Sequence, residues 1–217
     1  MPYFFLFLLI SCGEKQKSKY EDFREAWRTF PNIVSDTIDQ NDIEKMKSFI
    51  SQGFDVNSNL FKCSNPIIKA TQASTEFMKF LIAEGANVNL KDCQGRTALY
   101  FVDSEKAKLL IENGADINIK DWINKNTPLH EALRIGPTKP KIDIDYIKVL
   151  VDSGADVKAV NKFGQSPLHY FKVRLNALKD KISTYKNMKN PKTHHLNLIK
   201  AYDFLKSQEQ IIDNLLS

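Results

Sequence analysis

Cysteine is scarce in this chain, with three among 217 residues, at Cys12, Cys63 and Cys93. None forms the paired spacing of a zinc or redox motif. Long apolar runs are also missing. The longest strongly apolar segment, YFFLFLLI from Tyr3 to Ile10, falls far short of the ~20 residues a membrane-spanning helix needs. There is no Gly-rich phosphate loop, no G-x-S-x-G and no H-E-x-x-H, so the sequence presents no catalytic constellation and calls for no cofactor. Neither charge sign dominates. The 31 basic and 26 acidic residues leave +5, spread along the whole length, which reads as a mixed, solvated surface without a nucleic-acid footprint. His194 and His195 stand together in a lysine-rich segment with no Cys, Asp or Glu at ligand spacing; they are expected in a solvated loop and not on a metal.

What the chain does have is repetition. FISQGFDVN at Phe49 to Asn57, LIAEGANVN at Leu81 to Asn89, LIENGADIN at Leu110 to Asn118 and LVDSGADVK at Leu150 to Lys158 are near-copies of one another. Their glycines, Gly53, Gly85, Gly114 and Gly154, are spaced by 32, 29 and 40 residues, the period of a helical array in which each unit holds two helices and a turn. The glycine ends a helix, because it adopts the left-handed conformation without steric cost. A second motif follows 12 or 13 residues later: NPIIKA at Asn65, TALYF at Thr97, TPLHEA at Thr127 and SPLHYF at Ser166. Its chemistry is that of a helix start, with a capping hydroxyl followed by a proline that has no amide to leave unpaired.

Together these residues resemble the ankyrin repeat family, whose T-P-L-H-x-A signature is complete at Thr127, Pro128, Leu129, His130 and Ala132. The resemblance implies an all-α solenoid of about four to five helix-turn-helix repeats with a long C-terminal helical capping hairpin. It also implies that the signature histidine bonds backbone in the turn region, an option kept by His130 and His169 but not by Ile68 or Tyr100 at the same place. The expected organisation is residues 31–165 as repeats and residues 166–217 as a degenerate last repeat and hairpin.

Departures from the repeat are informative. Only 17 residues separate Thr97 from Gly114, so the helices of the third unit are expected to be clipped around Val102 to Glu105. The fourth unit carries an insertion, IGPTKPKIDID at Ile135 to Asp145, that cannot continue a helix and reads as a loop. After Ser166, Leu168, Phe171, Leu175, Leu178, Ile182 and Tyr185 form a seam. Leu198, Ala201, Leu205, Ile212 and Leu215 supply the matching one.

At the other end, Leu9-Ile10-Ser11-Cys12 follows the apolar run and resembles the lipobox of bacterial lipoproteins, in which the cysteine is lipidated. Residues 1–11 are then a signal peptide, and residues 12–30 hold the lipidated Cys12, a polar tether and a short helix with Tyr20, Phe23, Trp27 and Phe30 on one face. The implied location is the bacterial cell envelope, on the outer membrane or facing the periplasm. Cys63 and Cys93 lie in turns of adjacent repeats. An envelope location would permit them to pair, but because packed elements sit about 8 to 10 Å apart, two free thiols are the leading expectation and a disulfide the alternative.

The turns after each glycine motif correspond to the fingers that commonly contact partners in ankyrin proteins. Phe61, Trp122, Ile123 and Phe163 place large apolar groups there, as in protein-binding hot spots. The resemblance puts Glu131, Arg134 and Tyr170 on the concave groove and Arg96 at a finger base, where charge would steer a partner. The expectation is a non-enzymatic, monomeric protein that holds another protein at the envelope. The alternatives are an immunity or inhibitor protein against an envelope-acting toxin, and a secreted effector in which Cys12 carries no lipid.

Overall fold

Residues 30–59, 63–134, 142–186 and 193–216 have a described backbone in the computed structural model, with the side chains of 185–198 outside that description. The nine helices among them are α1 (30–39), α2 (Ile43–Ser51), α3 (Pro66–Lys69), α4 (Thr75–Ala83), α5 (Ser104–Glu112), α6 (Pro128–Ala132), α7 (Ile144–Asp152), α8 (Pro167–Lys186) and α9 (Thr193–Leu216). The chain divides into two units, Met1–Asn87 and Val88–Ser217. Each is built from the same local rules.

In the first unit, α2 and α4 start under side-chain caps: Asp42 accepts from the Lys45 amide and Ser74 from the Phe77 amide. Both helices run nine residues and stop at a glycine, Gly53 (φ 94°) and Gly85 (φ 87°). The chain then folds back so that Phe54 N–H donates to Phe49 O and Ala86 N–H to Leu81 O, each at 2.9 Å. This backward bond satisfies carbonyls that a helix end would otherwise leave orphaned. Val34, Ile38, Met46, Ile67, Phe77, Met78 and Leu81 have no exposed surface and form the core. Phe30 packs edge-on against Phe49 and Phe54, with ring centroids 5.5 and 5.9 Å away. Tyr20, Phe23 and Trp27 of the proposed N-terminal helix, and the signal-peptide segment with Cys12, lie outside the described residues.

The second unit repeats the design in α5 and α7, capped by Asp103 and Asp143, each nine residues long and each closed by a left-handed glycine, Gly114 and Gly154. The third repeat is shortened differently from the expectation. Its outer helix α5 is uncut; all the loss falls on the inner one, which survives as a single 3-10 turn, Ala98–Tyr100. The outer helix provides the face that packs on α7, and losing turns there would open the core around Leu110 and Ile147. Ile135–Lys141 of the fourth-repeat insertion lie outside the described residues.

Helices α8 and α9 pack along each other. Phe171, Leu175 and Ile182 on one and Leu205, Ile212 and Leu216 on the other are the buried members of the seam; Leu216, not Leu215, takes the last buried place. Lys172 and Asp213 pair across it at 3.0 Å. His194 and His195 fall in the first turn of α9 instead of a loop, with side chains outside the description. Cys63 and Cys93, expected as free thiols, are both disulfide-bonded. The spacing between helix axes does not limit side chains carried on turns.

Candidate partner-binding surface

The fingers of the second unit are built around a buried acidic or amide side chain seven residues after each helix-closing glycine. Asp92 takes the amides of Gln94 and Arg96 on Oδ1, at 2.8 and 2.9 Å. Asp121 takes those of Ile123, Asn124 and Asn126, and Asn161 those of Phe163 and Gln165. Such Asx turns let one side chain satisfy several backbone donors at a loop tip. The tip then needs a left-handed residue, and Gly95, Lys125 and Gly164 fill that place. Sequence reasoning missed these three anchors, although their constant offset from Gly85, Gly114 and Gly154 is visible in the chain.

Neighbouring fingers are bonded edge to edge. Trp122 N–H donates to Gln94 O and Lys162 N–H to Asn124 O, both at 2.8 Å. Lysine side chains add two more links, Lys120 Nζ to Val160 O at 2.9 Å and Lys162 Nζ to Ile123 O at 2.6 Å. Asparagines at the end of the glycine motif tie successive turns. Asn89 donates to Gly114 O and accepts from Asp116 N–H, and Asn118 does the same to Gly154 O and Asp156 N–H. In the first unit Asn57 makes the equivalent pair with Gly85 and Asn87. Lys158 occupies this place in the last copy.

On this fixed frame Trp122 is 56 % exposed, Ile123 50 % and Phe163 65 %. Trp122 lies against Gly95 so closely that a Cβ there would stand 2.6 Å from its indole. The indole is therefore positioned by its neighbour while its outer surface faces solvent. Phe61 lies outside the described residues. The remaining candidates divide. Arg96 is tied to buried Asp92 through Nε and Nη2, at 2.9 and 2.7 Å, and stacks over Phe101, so it braces a finger base. Glu131 and Arg134 pair with each other at 2.6 Å while staying partly exposed. Tyr170, expected to face the groove, is only 6 % exposed, packed edge-on to His130 with the Arg174 guanidinium over its ring. Burial of its hydroxyl raises its pKa.

His130 joins two repeats. Its Nδ1 accepts from the Thr127 amide at 3.2 Å, and its Nε2 lies 3.0 Å from Gln165 O. Both contacts are met by the neutral ring protonated on Nε2. Burial lowers its pKa, the Gln165 carbonyl opposes this, Lys120 lowers it further and Asp121 raises it. Tyr100 does the corresponding work in the preceding repeat. Its hydroxyl lies 2.7 Å from Ile119 O and from Asn126 O, and Asn126, like Gln165, directly precedes the next helix cap. The expectation that Tyr100 gives up this contact is therefore corrected. His169 is exposed.

No group of His, Cys, Asp or Glu among the described residues is arranged to hold a metal. No described helix is long and apolar enough to cross a membrane.

Three family models match the chain: ankyrin repeats (3 copies) over residues 35–121, ankyrin repeats (many copies) over 105–139 and a single ankyrin repeat over 124–162. Among curated proteins, the chain is similar to three ankyrin repeat proteins of fowlpox virus (strain NVSL). The first is 28 % identical over 144 residues, covering 65 % of this chain and 20 % of the relative. The second is 31 % identical over 130 residues, covering 57 % and 20 %, and the third 31 % identical over 94 residues, covering 43 % and 62 %. The aligned part thus spans about a fifth of the length of the first two relatives.

Proposed function

Because this chain belongs to the ankyrin repeat family, we propose that it acts by holding another protein through its finger edge, with Trp122, Ile123 and Phe163 as anchors. The observation that carries the reading is three large apolar side chains, each at least half exposed, on fingers whose backbone is already fixed. Rigid exposed anchors lower the entropic cost of binding. Glu131 and Arg134, paired and partly exposed, are placed to orient the partner, with Arg96 holding its finger in shape. Phe61, a large apolar residue after the Gly53 motif, is proposed as a further partner-binding residue, and Tyr170 as a buried support for His130.

The site of action is proposed as a bacterial envelope, with Cys12 as the lipidated residue and the repeats held at the membrane surface. Two features support this: the apolar run ending in Leu9-Ile10-Ser11-Cys12, and two cysteines in disulfide form, which belong in an oxidising compartment. Metabolic labelling with a fatty-acid probe tests the anchor. Label is expected on the wild type and lost in Cys12→Ala; persistence in that variant rejects it. For binding, Trp122→Ala with Phe163→Ala is expected to abolish capture of protein partners by the full chain with little change in melting temperature. Intact capture with a large loss of stability would reduce these residues to structural ones.

A further inference from the structure

The finger edge of the second unit is cationic as well as apolar. Residues 89–96, 118–126 and 158–165 contain Lys91, Lys120, Lys125, Lys158, Lys162 and Arg96 against only two acids, Asp92 and Asp121. Both acids are 6 % exposed and point their oxygens at the finger backbone, where they anchor the turns and present little charge to solvent. Arg96 is neutralised by a partner within this set, at 2.7 Å from Asp92. The five lysines are all exposed, and two of them are held in place by carbonyls of the adjoining finger.

Cations and apolar anchors are interleaved. Lys91 Nζ lies 6.0 Å from the Trp122 ring centroid and Lys162 Nζ 5.1 Å from that of Phe163. Lys158 adds its charge at the place where earlier copies of the motif use asparagine to tie the next turn. Val160, 48 % exposed, continues the apolar row.

We propose that this edge recognises an acidic protein segment that carries exposed apolar side chains, with Asp and Glu of the partner set between lysines and its apolar groups on Trp122 and Phe163. This rests on the protein-binding reading and specifies its partner's chemistry. Complementary charge mainly sets encounter rate and register, while buried aromatic anchors carry affinity. An anionic lipid surface shares the charge requirement. The fixed finger backbone and separated anchors suit discrete carboxylates, and a bilayer would serve equally well with mobile lysines.

The test uses the full chain and a phage-displayed library of random 12-residue peptides, with vesicles of phosphatidylglycerol and phosphatidylcholine as a second probe. Lys91→Glu, Lys125→Glu and Lys158→Glu are combined in one variant, which leaves in place Lys120 and Lys162, the lysines bonded to carbonyls of the adjoining finger. Trp122→Ala with Phe163→Ala forms the other variant. The expected result is enrichment of acidic peptides containing aromatic or aliphatic residues. Their affinity should fall about tenfold or more in each variant, which must melt within a few degrees of wild type, and weaken with added salt. Enrichment of neutral or basic peptides that depend on Trp122 and Phe163 would overturn the acidic partner and leave protein binding standing. Enrichment of peptides indifferent to both variants would overturn the finger edge itself. Failure to enrich any peptide, with sedimentation on phosphatidylglycerol vesicles, would overturn both in favour of a membrane surface.

Discussion

Tyr100 and His130 hold the same place in adjacent repeats and meet the same need with different chemistry. Each reaches the carbonyl that precedes the next helix start, Asn126 for Tyr100 and Gln165 for His130. The position asks for a buried donor of the right reach. The difference is that His130 also accepts the Thr127 amide, closing a capping box on α6, whereas Thr97 makes no side-chain cap and its Oγ1 is buried without a partner. The histidine both starts a helix and joins repeats. The tyrosine only joins them, and the helix it stands on shrinks to one turn.

The largest expected break is His130→Ala, which removes both contacts and leaves a cavity in a fully buried site. A loss of roughly 3 kcal/mol is expected, seen as a melting temperature lower by about 6 to 12 °C. Tyr100→Phe keeps the ring and deletes the shared hydroxyl. Asn126 O keeps the Asp121 amide and Ile119 O is only part-buried, so the loss should be that of one hydrogen bond, about 1 kcal/mol; a change within error would mean that water replaces the hydroxyl. The pair also differs in titration. With a folded pKa below the ordinary value, His130 supports folding while neutral, and that contribution is present above about pH 6.5 and is lost as pH falls below it. Tyr100 cannot charge in that range. Denaturation followed from pH 8 to pH 5 should therefore show a decline that His130→Gln removes and Tyr100→Phe retains. The smallest effect is expected for His169→Ala, within about 0.5 kcal/mol, since that imidazole is exposed.

The repeats were legible because helix endings and starts have strict chemistry. Glycines after Leu81, Leu110 and Leu150 and prolines at 128 and 167 mark boundaries that the backbone follows. The fingers were legible only by position. Trp122, Ile123 and Phe163 stood out as large apolar residues in turns, but Asp92, Asp121 and Asn161 were overlooked because an Asx anchor looks like any polar loop residue until its amide partners are placed. Tyr170 and Arg96 went the other way, since the nature of a side chain says little about whether a neighbour has already claimed it. Asp92 claims Arg96, and His130 and Arg174 cover Tyr170.

Site-specific photocrosslinking compares the finger edge with the C-terminal hairpin most directly. A benzophenone amino acid is placed at Phe163, 65 % exposed on a finger, or at Phe204, 42 % exposed on α9, in the full chain within the cells that produce it. A discrete protein adduct from position 163, absent from 204, is the result predicted. Adducts from 204 with none from 163 would contradict the finger edge as the binding surface.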